Sequence, residues 1–239
     1  MRNSRDQTAS TPHPNPLPAA GRGDQKLDSM SFLRFKEKVT SLDELRQIIG
    51  TPGELVIKKE LRQLDDHMRR FIAHSPFVIL STHGSDGRCD ASPRGDAPGF
   101  VQVLDEQTLL IPDRRGNKRI DSLQNILATG RVGLIFLVPG VGETLRINGR
   151  ACVIQDEAWL TPLTAQGQRP LVGIAVEAEE CYLQCAKALM RSKLWEPHER
   201  PNLTSLPSFA QMLVDQTQMP EYDTESMQKL LDGAYQKLY

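Results

Sequence analysis

Four cations fall within the six residues Arg114-Arg115-Gly116-Asn117-Lys118-Arg119 of a nearly neutral chain. Helical periodicity starts directly afterwards, with Ile120, Leu123 and Leu127 spaced along one face. Asn117 is the expected N-cap of that helix. A helix N-terminus offers unpaired N–H groups and a partial positive charge, so the segment is a candidate anion site. Lys118 and Arg119 would add charged hydrogen bonds to a phosphate. A solvated basic loop is the alternative reading of the same residues.

A second candidate is Arg88-Cys89-Asp90-Ala91-Ser92-Pro93-Arg94-Gly95-Asp96. Strand alternation sends Asp90 and Ser92 to one side and Cys89, Ala91 and Pro93 to the other. A proline removes a ladder donor, which places this stretch at an edge, a bulge or a site opening. Arg94 just beyond it is positioned to face an anion; a surface arm with an Arg–Asp pair is the alternative. The third candidate is Gly140 to Arg150, in which Leu145, Ile147 and Ala151 share a core face and Thr144, Arg146, Asn148 and Arg150 share the polar one. Its Gly140-Val141-Gly142 lacks the third glycine of a dinucleotide fingerprint and joins strand to strand. The fourth is a helix expected over Glu180 to Trp195, with Cys181 and Cys185 one turn apart as small buried hydrophobes. No Walker A loop, nucleophile elbow or His-Glu-x-x-His is present, and the five histidines have no metal-ligand spacing.

These candidates must be positioned by a sheet. Strands are expected at Phe77–Thr82, Arg88–Arg94, Gln107–Pro112, Val132–Val138, Glu143–Ile154 and Leu171–Ala178. His83-Gly84-Ser85-Asp86-Gly87 is a hairpin turn. Ser41 to Glu44 forms a capping box closed by Gly50, and Ile57, Leu61, Leu64, Met68 and Phe71 predict one long helix before the first strand. Further helices are expected over Phe209–Val214 and around Met227, Leu231, Ala234 and Leu238. Strands do not alternate with helices, so an α+β, mainly β antiparallel barrel with flanking helices fits better than a doubly wound sheet. The expected division is a leader over residues 1–29, N-terminal helices over 30–76, a barrel over 77–195 and a helical extension over 196–239. The leader is proline-rich and poor in large apolar residues, hence expected to be disordered, and a chain beginning at Met30 is expected to fold unchanged.

Composition removes several function classes. The 239 residues carry 29 basic and 30 acidic side chains, for a net charge of −1, which disfavours a nucleic-acid surface. The longest apolar run, Val132–Val138, is too short to span a bilayer. Four cysteines make no disulfide framework and suit a cytoplasmic setting.

Four segments carry a resemblance to a known family: Asp90 to Asp96, Leu110 to Leu123, Val138 to Gly149 and Cys185 to Trp195. Together the chain from Phe77 to Trp195 resembles the pyridoxamine 5′-phosphate oxidase-related, FMN-binding split-barrel flavoproteins, in a bacterial subgroup distinct from the oxidase itself. The resemblance implies a six-stranded split barrel and a homodimer with FMN in two clefts between subunits. By position it implies cofactor contacts from Ala91, Ser92, Pro93 and Arg94, from Ile111 and Pro112, from Asn117, Lys118 and Arg119, and from Thr144 and Arg146. Trp195 and Arg191 match the late aromatic and basic residues that the other subunit supplies. The oxidase's C-terminal Arg and His residues for its vitamin substrate have no counterpart, and Gln184 stands where the subgroup carries His. The expected function is therefore an FMN-dependent oxidoreductase acting on a small molecule, with no catalytic residue assigned. A non-catalytic FMN, haem or deazaflavin module is the alternative. A transcription regulator is a third reading, opposed by the charge and the lack of a helix-turn-helix.

Overall fold

The computed structural model describes residues 32–196 and 201–239, and the expected leader over residues 1–29 lies outside the described residues. The chain divides into two units between Pro52 and Gly53. The first contains α1 (Leu42–Ile49). Ser41 Oγ accepts the Glu44 N–H at 3.1 Å, and the Glu44 carboxylate accepts the Thr40 N–H at 3.0 Å, one residue before the partner a standard capping box would use. Gly50 ends the helix at φ 85°. None of α1 is buried.

The second unit opens with α2 (Glu54–Lys58) and α3 (Asp66–His74). The single long helix expected from Ile57 to Phe71 is thus two. Between them Leu61 is extended and exchanges two backbone bonds with Cys181, at 2.9 and 2.7 Å. Asp65 then restarts the helix by accepting the Met68 N–H at 2.8 Å. Of the spaced residues Leu64 and Met68 are buried and Phe71 packs against the core, but pairing with a strand outcompetes helix at Leu61.

The strands and remaining helices follow as β1 (Phe77–His83), β2 (Cys89–Gly95), β3 (Gln102–Val103), β4 (Thr108–Pro112), α4 (Asp121–Thr129), β5 (Arg131–Leu137), β6 (Thr144–Ile154), α5 (Glu157–Leu160) with a 3₁₀ turn (Thr161–Leu163), β7 (Gly173–Gln184), α6 (Lys187–Ser192), α7 (Phe209–Thr217) and α8 (Thr224–Tyr235). All pairings are antiparallel, in the order β2-β1-β5-β6-β7-β4-β3. Seven strands replace the expected six because β3, at two residues, is too short to leave a periodic signal. The helix expected over Glu180–Trp195 is a second correction. β7 runs on to Gln184 in register with β6, and only Lys187–Ser192 is helical. Cys181 is therefore a buried strand residue and Cys185 an exposed one after the strand, not two thiols on one helix face.

One sheet face carries the core: Val78 and Leu80, Leu134 and Phe136, Leu145 and Ile147, Ile174 and Val176, Leu109 and Ile111. Met68 and Ile72 of α3 and Ile126 of α4 close over it. Leu110 points the other way, onto Leu160 and Leu163, so β4 is buried on both faces. On α4 the buried positions are Ser122 and Ile126, whereas Leu127 is 76% exposed. The face predicted from Ile120, Leu123 and Leu127 is rotated, with only Leu123 packing against the core. Among the described residues no helix is long and apolar enough to cross a membrane.

Candidate functional site

Two groups of polar residues stand at the ends of the sheet. The first gathers where β2 and β4 finish. β2 is an edge strand, as its proline requires, with Pro93 opposite Ile79. Asp90, Ser92 and Arg94 are half-buried on one side; Ala91 and Pro93 are exposed on the other. Ser92 Oγ lies 2.9 Å from Ser122 Oγ, which donates to Asp90 at 2.6 Å, so Ser92 is fixed by α4. Arg94 pairs with Asp113, the residue after β4. Its Nε is buried without a hydrogen-bond partner.

A second ion pair crosses the same gap two residues on. Arg114 Nε donates to Asp96 at 2.6 Å and its guanidinium donates again to the Leu163 carbonyl at 2.8 Å. Asp96 also accepts the Ala97 N–H at 2.7 Å and the Tyr239 hydroxyl at 2.6 Å. Burial acts to raise the Asp96 pKa, but the hydrogen bonds from Tyr239, Ala97 and Arg114 together hold it below the ordinary value. The acceptance by Asp96 raises the Tyr239 phenol in turn. Ile111 and Pro112 lie immediately upstream, both buried, so their side chains are closed to a ligand in this chain.

The cation loop follows. Asn117 does not cap α4: its Oδ1 accepts the Arg119 N–H at 3.0 Å, and the cap position falls to Ile120, which has no oxygen to offer. Lys118 and Ile120 both sit in the left-handed region, at φ 63° and 55°. For an isoleucine that conformation is a true outlier, with a cost on the order of 1–3 kcal/mol. Arg119 pairs with the exposed Asp121, whereas Arg115 and Lys118 have no ion pair among the described residues. An uncapped helix start of nine residues, two strained positions and unpaired cations therefore occur together.

The second group lies on the outer sheet face near the start of β6. Thr144 and Arg146 are half-buried, with Arg146 opposite Tyr182 and donating to its hydroxyl at 3.1 Å. The Arg146 guanidinium and the Lys59 ammonium stand 5.8 and 5.7 Å from the same Tyr182 ring. Asn148, next on this face, donates to Glu180. Burial, then the Glu180 charge, raise the Glu60 carboxyl above its ordinary value. Register places Pro93, Ile79, Ile135 and Arg146 in one row, so Pro93 and Arg146 are separated by three strand spacings, about 14 Å. One chain thus brings Ser92, Arg94 and the loop toward α4 together, and sets Thr144 and Arg146 apart from them.

Trp195 is half-buried, and its indole N–H donates to the Val141 carbonyl at 2.9 Å, fastening the β5–β6 turn. Arg191 is exposed on α6 and makes no ion pair among the described residues. Among the described residues no group of His, Cys, Asp and Glu could hold a metal ion. Sequence reasoning missed Asp96, Asp113 and Ser122 as partners, although each lies inside one of the segments that carry the family resemblance; the alternation that puts Ser92 on one side of its strand also puts Arg94 there. For Tyr239 and Lys59 no sequence signal existed, because both arrive from remote elements.

A family model described as pyridoxamine 5′-phosphate oxidase matches residues 64–185. No curated protein matches the chain. Among solved structures, the HupZ protein of Group A Streptococcus is 16% identical over 51% of this chain and 94% of its own, with a TM-score of 0.43. A general stress protein 26-related protein of Clostridium acetobutylicum is 13% identical over 50% and 86%, with a TM-score of 0.37. An FMN-binding protein of Syntrophomonas wolfei is 11% identical over 59% and 95%, also with a TM-score of 0.37. The family match takes in more than half of the chain, from the residue before the Asp65 cap through the end of β7, and on that span the chain belongs to the pyridoxamine 5′-phosphate oxidase family.

Proposed function

We propose that this protein is an FMN-binding flavoprotein that acts as a homodimer in oxidation or reduction of a small molecule. The observation that carries the reading is the start of α4, where an uncapped N-terminus, the left-handed Lys118 and Ile120 and the unpaired cations coincide. Strain of this kind is retained where surrounding structure or a ligand over-determines it. A dianionic phosphate is the complement of such a place. Lys118 and Arg119 would hold the phosphate, and Arg94, tied to Asp113 at the root of the same loop, keeps a buried Nε without an acceptor. Ala91, Pro93, Thr144 and Arg146 would line the ring on the outer face. A bound FMN supplies two-electron transfer at its ring, and the protein's part is to hold and orient it.

The sheet in this reading closes as a split barrel, with the Arg94–Asp113 and Asp96–Arg114 pairs across the gap. The outer face carries Phe77, 37% exposed, and the half-buried Ile79, Ile135 and Leu137. A second copy seated there would bury that apolar surface and bring its own Trp195 and Arg191 near the cofactor. A solution mass twice the 26.7 kDa of one chain tests this part. Titration with FMN, followed by flavin fluorescence, tests the rest. Lys118→Ala with Arg119→Ala weakens binding by about 1.5–3 kcal/mol per lost charged hydrogen bond, roughly tenfold or more in Kd for each. Unchanged affinity in the double variant would defeat the reading.

A binding module without turnover is the second reading. Asp90, Asp96 and Asp113 are each engaged by a donor, an arrangement that suits carboxylates with a positioning role. Anaerobic mixing of the flavin-loaded protein with a reduced nicotinamide separates the two: bleaching of the flavin supports an oxidoreductase, and an unbleached flavin supports the module.

A further inference from the structure

We infer that Tyr239 is a positioning residue for the cation loop, which it holds through Asp96 and Arg114; the inference rests on the flavin reading only in its second test. The Tyr239 hydroxyl donates to Asp96 Oδ1 at 2.6 Å, and the Arg114 guanidinium lies 5.6 Å from the Tyr239 ring. One side chain thus contacts both members of an ion pair whose acid is only 4% exposed. Asp96 stands two residues beyond Arg94, and Arg114 directly follows Asp113, the partner of Arg94. The two ion pairs fix the end of β2 to the start of the loop, and Tyr239 braces the second of them from a point 143 residues away in sequence.

A purely architectural role for the contact would be to dock the helices α7 and α8. They already hold each other: Ala210 and Met227 are buried, and the Thr224 hydroxyl donates to Gln211 at 2.6 Å. The packing of α7 on α8 does not involve the phenol. What it adds is a third hydrogen bond on Asp96 and a ring beside Arg114, both at the root of Arg115 to Ile120. Loss of the hydroxyl leaves the Asp96–Arg114 pair in place but less constrained, and the loop beyond it freer.

Tyr239→Phe removes the hydroxyl and keeps the ring, so the fold is retained. The first test needs no flavin. Trypsin cleaves after Arg and Lys, and the loop carries Arg115, Lys118 and Arg119 in exposed positions. Under native conditions, with peptides identified by mass, Tyr239→Phe raises the initial cleavage rate at these bonds several-fold, with cleavage after Arg88 on the opposite turn unchanged. The second test compares FMN with riboflavin, which has the same ring and no phosphate. Tyr239→Phe weakens FMN by up to roughly tenfold, the ceiling set by one hydrogen bond to a charged group, and riboflavin much less. Equal loop cleavage in the two proteins overturns the inference. Faster cleavage in a protein that never takes up FMN leaves the positioning role standing and removes the flavin reading instead. Uptake of FMN with an unchanged ratio of FMN to riboflavin affinity, and unchanged cleavage, removes the positioning role alone.

Discussion

Replacing Gly149 by alanine is expected to damage the fold more than any other single-methyl change in the sheet. Between Asn148 and Gly149 the register of β6 against β7 slips, so that Glu179 is left over as a bulge and Gly149 faces Ala178. The backbones approach so closely there that a Cβ on Gly149 would lie 2.0 Å from the Glu177 carbonyl oxygen and 3.0 Å from its carbon. Ordinary contact begins near 3.4 Å, so the strands must part by about 1.4 Å at a point where both neighbours are main chain. Such overpacking costs about 1–3 kcal/mol, and two stretched ladder bonds add about 1 kcal/mol each, for a total of about 3–5 kcal/mol. In a chain of this size that lowers Tm by about 6–20 °C. Gly116→Ala is the control, since nothing lies within 4 Å of its Cβ. Thermal melts followed by circular dichroism decide the matter. A Gly149→Ala protein melting within about 2 °C of the parent would refute the close approach and the bulge with it.

Three further outcomes follow from local chemistry. Cys181 is buried, and burial, with the Glu180 and Asp65 charges, pushes its thiol up to about 11; a colour reagent at pH 8 should therefore titrate Cys89, Cys152 and Cys185 quickly and Cys181 only after unfolding. Asp96 has its pKa held below the ordinary 3.8, so its contribution to stability is complete above that value and is lost as pH falls through and below it. Urea melts should show the parent losing stability below about pH 4 more steeply than Asp96→Asn, and parallel slopes would contradict the assigned hydrogen bonds. Ile120→Gly should leave Tm unchanged or higher, because about 1–2 kcal/mol of left-handed strain is released at an exposed position, and a fall of more than about 5 °C would show the strain to be absent.

Period-two patterning made the sheet legible. Phe77, Arg131, Thr144 and Thr108 open strands whose burial alternates or runs continuously as their sequences indicate, and of the edge, bulge or site opening that the proline of β2 allows, the structure shows an edge. Where patterning failed, a tertiary partner had overruled local preference. Leu61 follows helical spacing but pairs with Cys181, and Glu180 to Gln184 are helix-compatible residues held as strand by β6. Asn117 shows a subtler limit. It is the right residue type for a cap, but the loop turns through two left-handed positions and shifts the cap three residues on, to Ile120. The cations at Arg114 to Arg119 were visible as a cluster, but their division into paired Arg114 and Arg119 and unpaired Arg115 and Lys118 depends on Asp96 and Asp121 and on the route of the chain. Tyr239 illustrates the same point over the longest distance, because no spacing rule connects it with Asp96.

Equilibrium titration of the purified protein with FMN decides whether the start of α4 holds a flavin phosphate. Saturable quenching of flavin fluorescence is expected at one FMN per chain, with affinity reduced at least tenfold by Lys118→Ala with Arg119→Ala. A protein that leaves FMN fluorescence unquenched, or a double variant that binds as tightly as its parent, would contradict it.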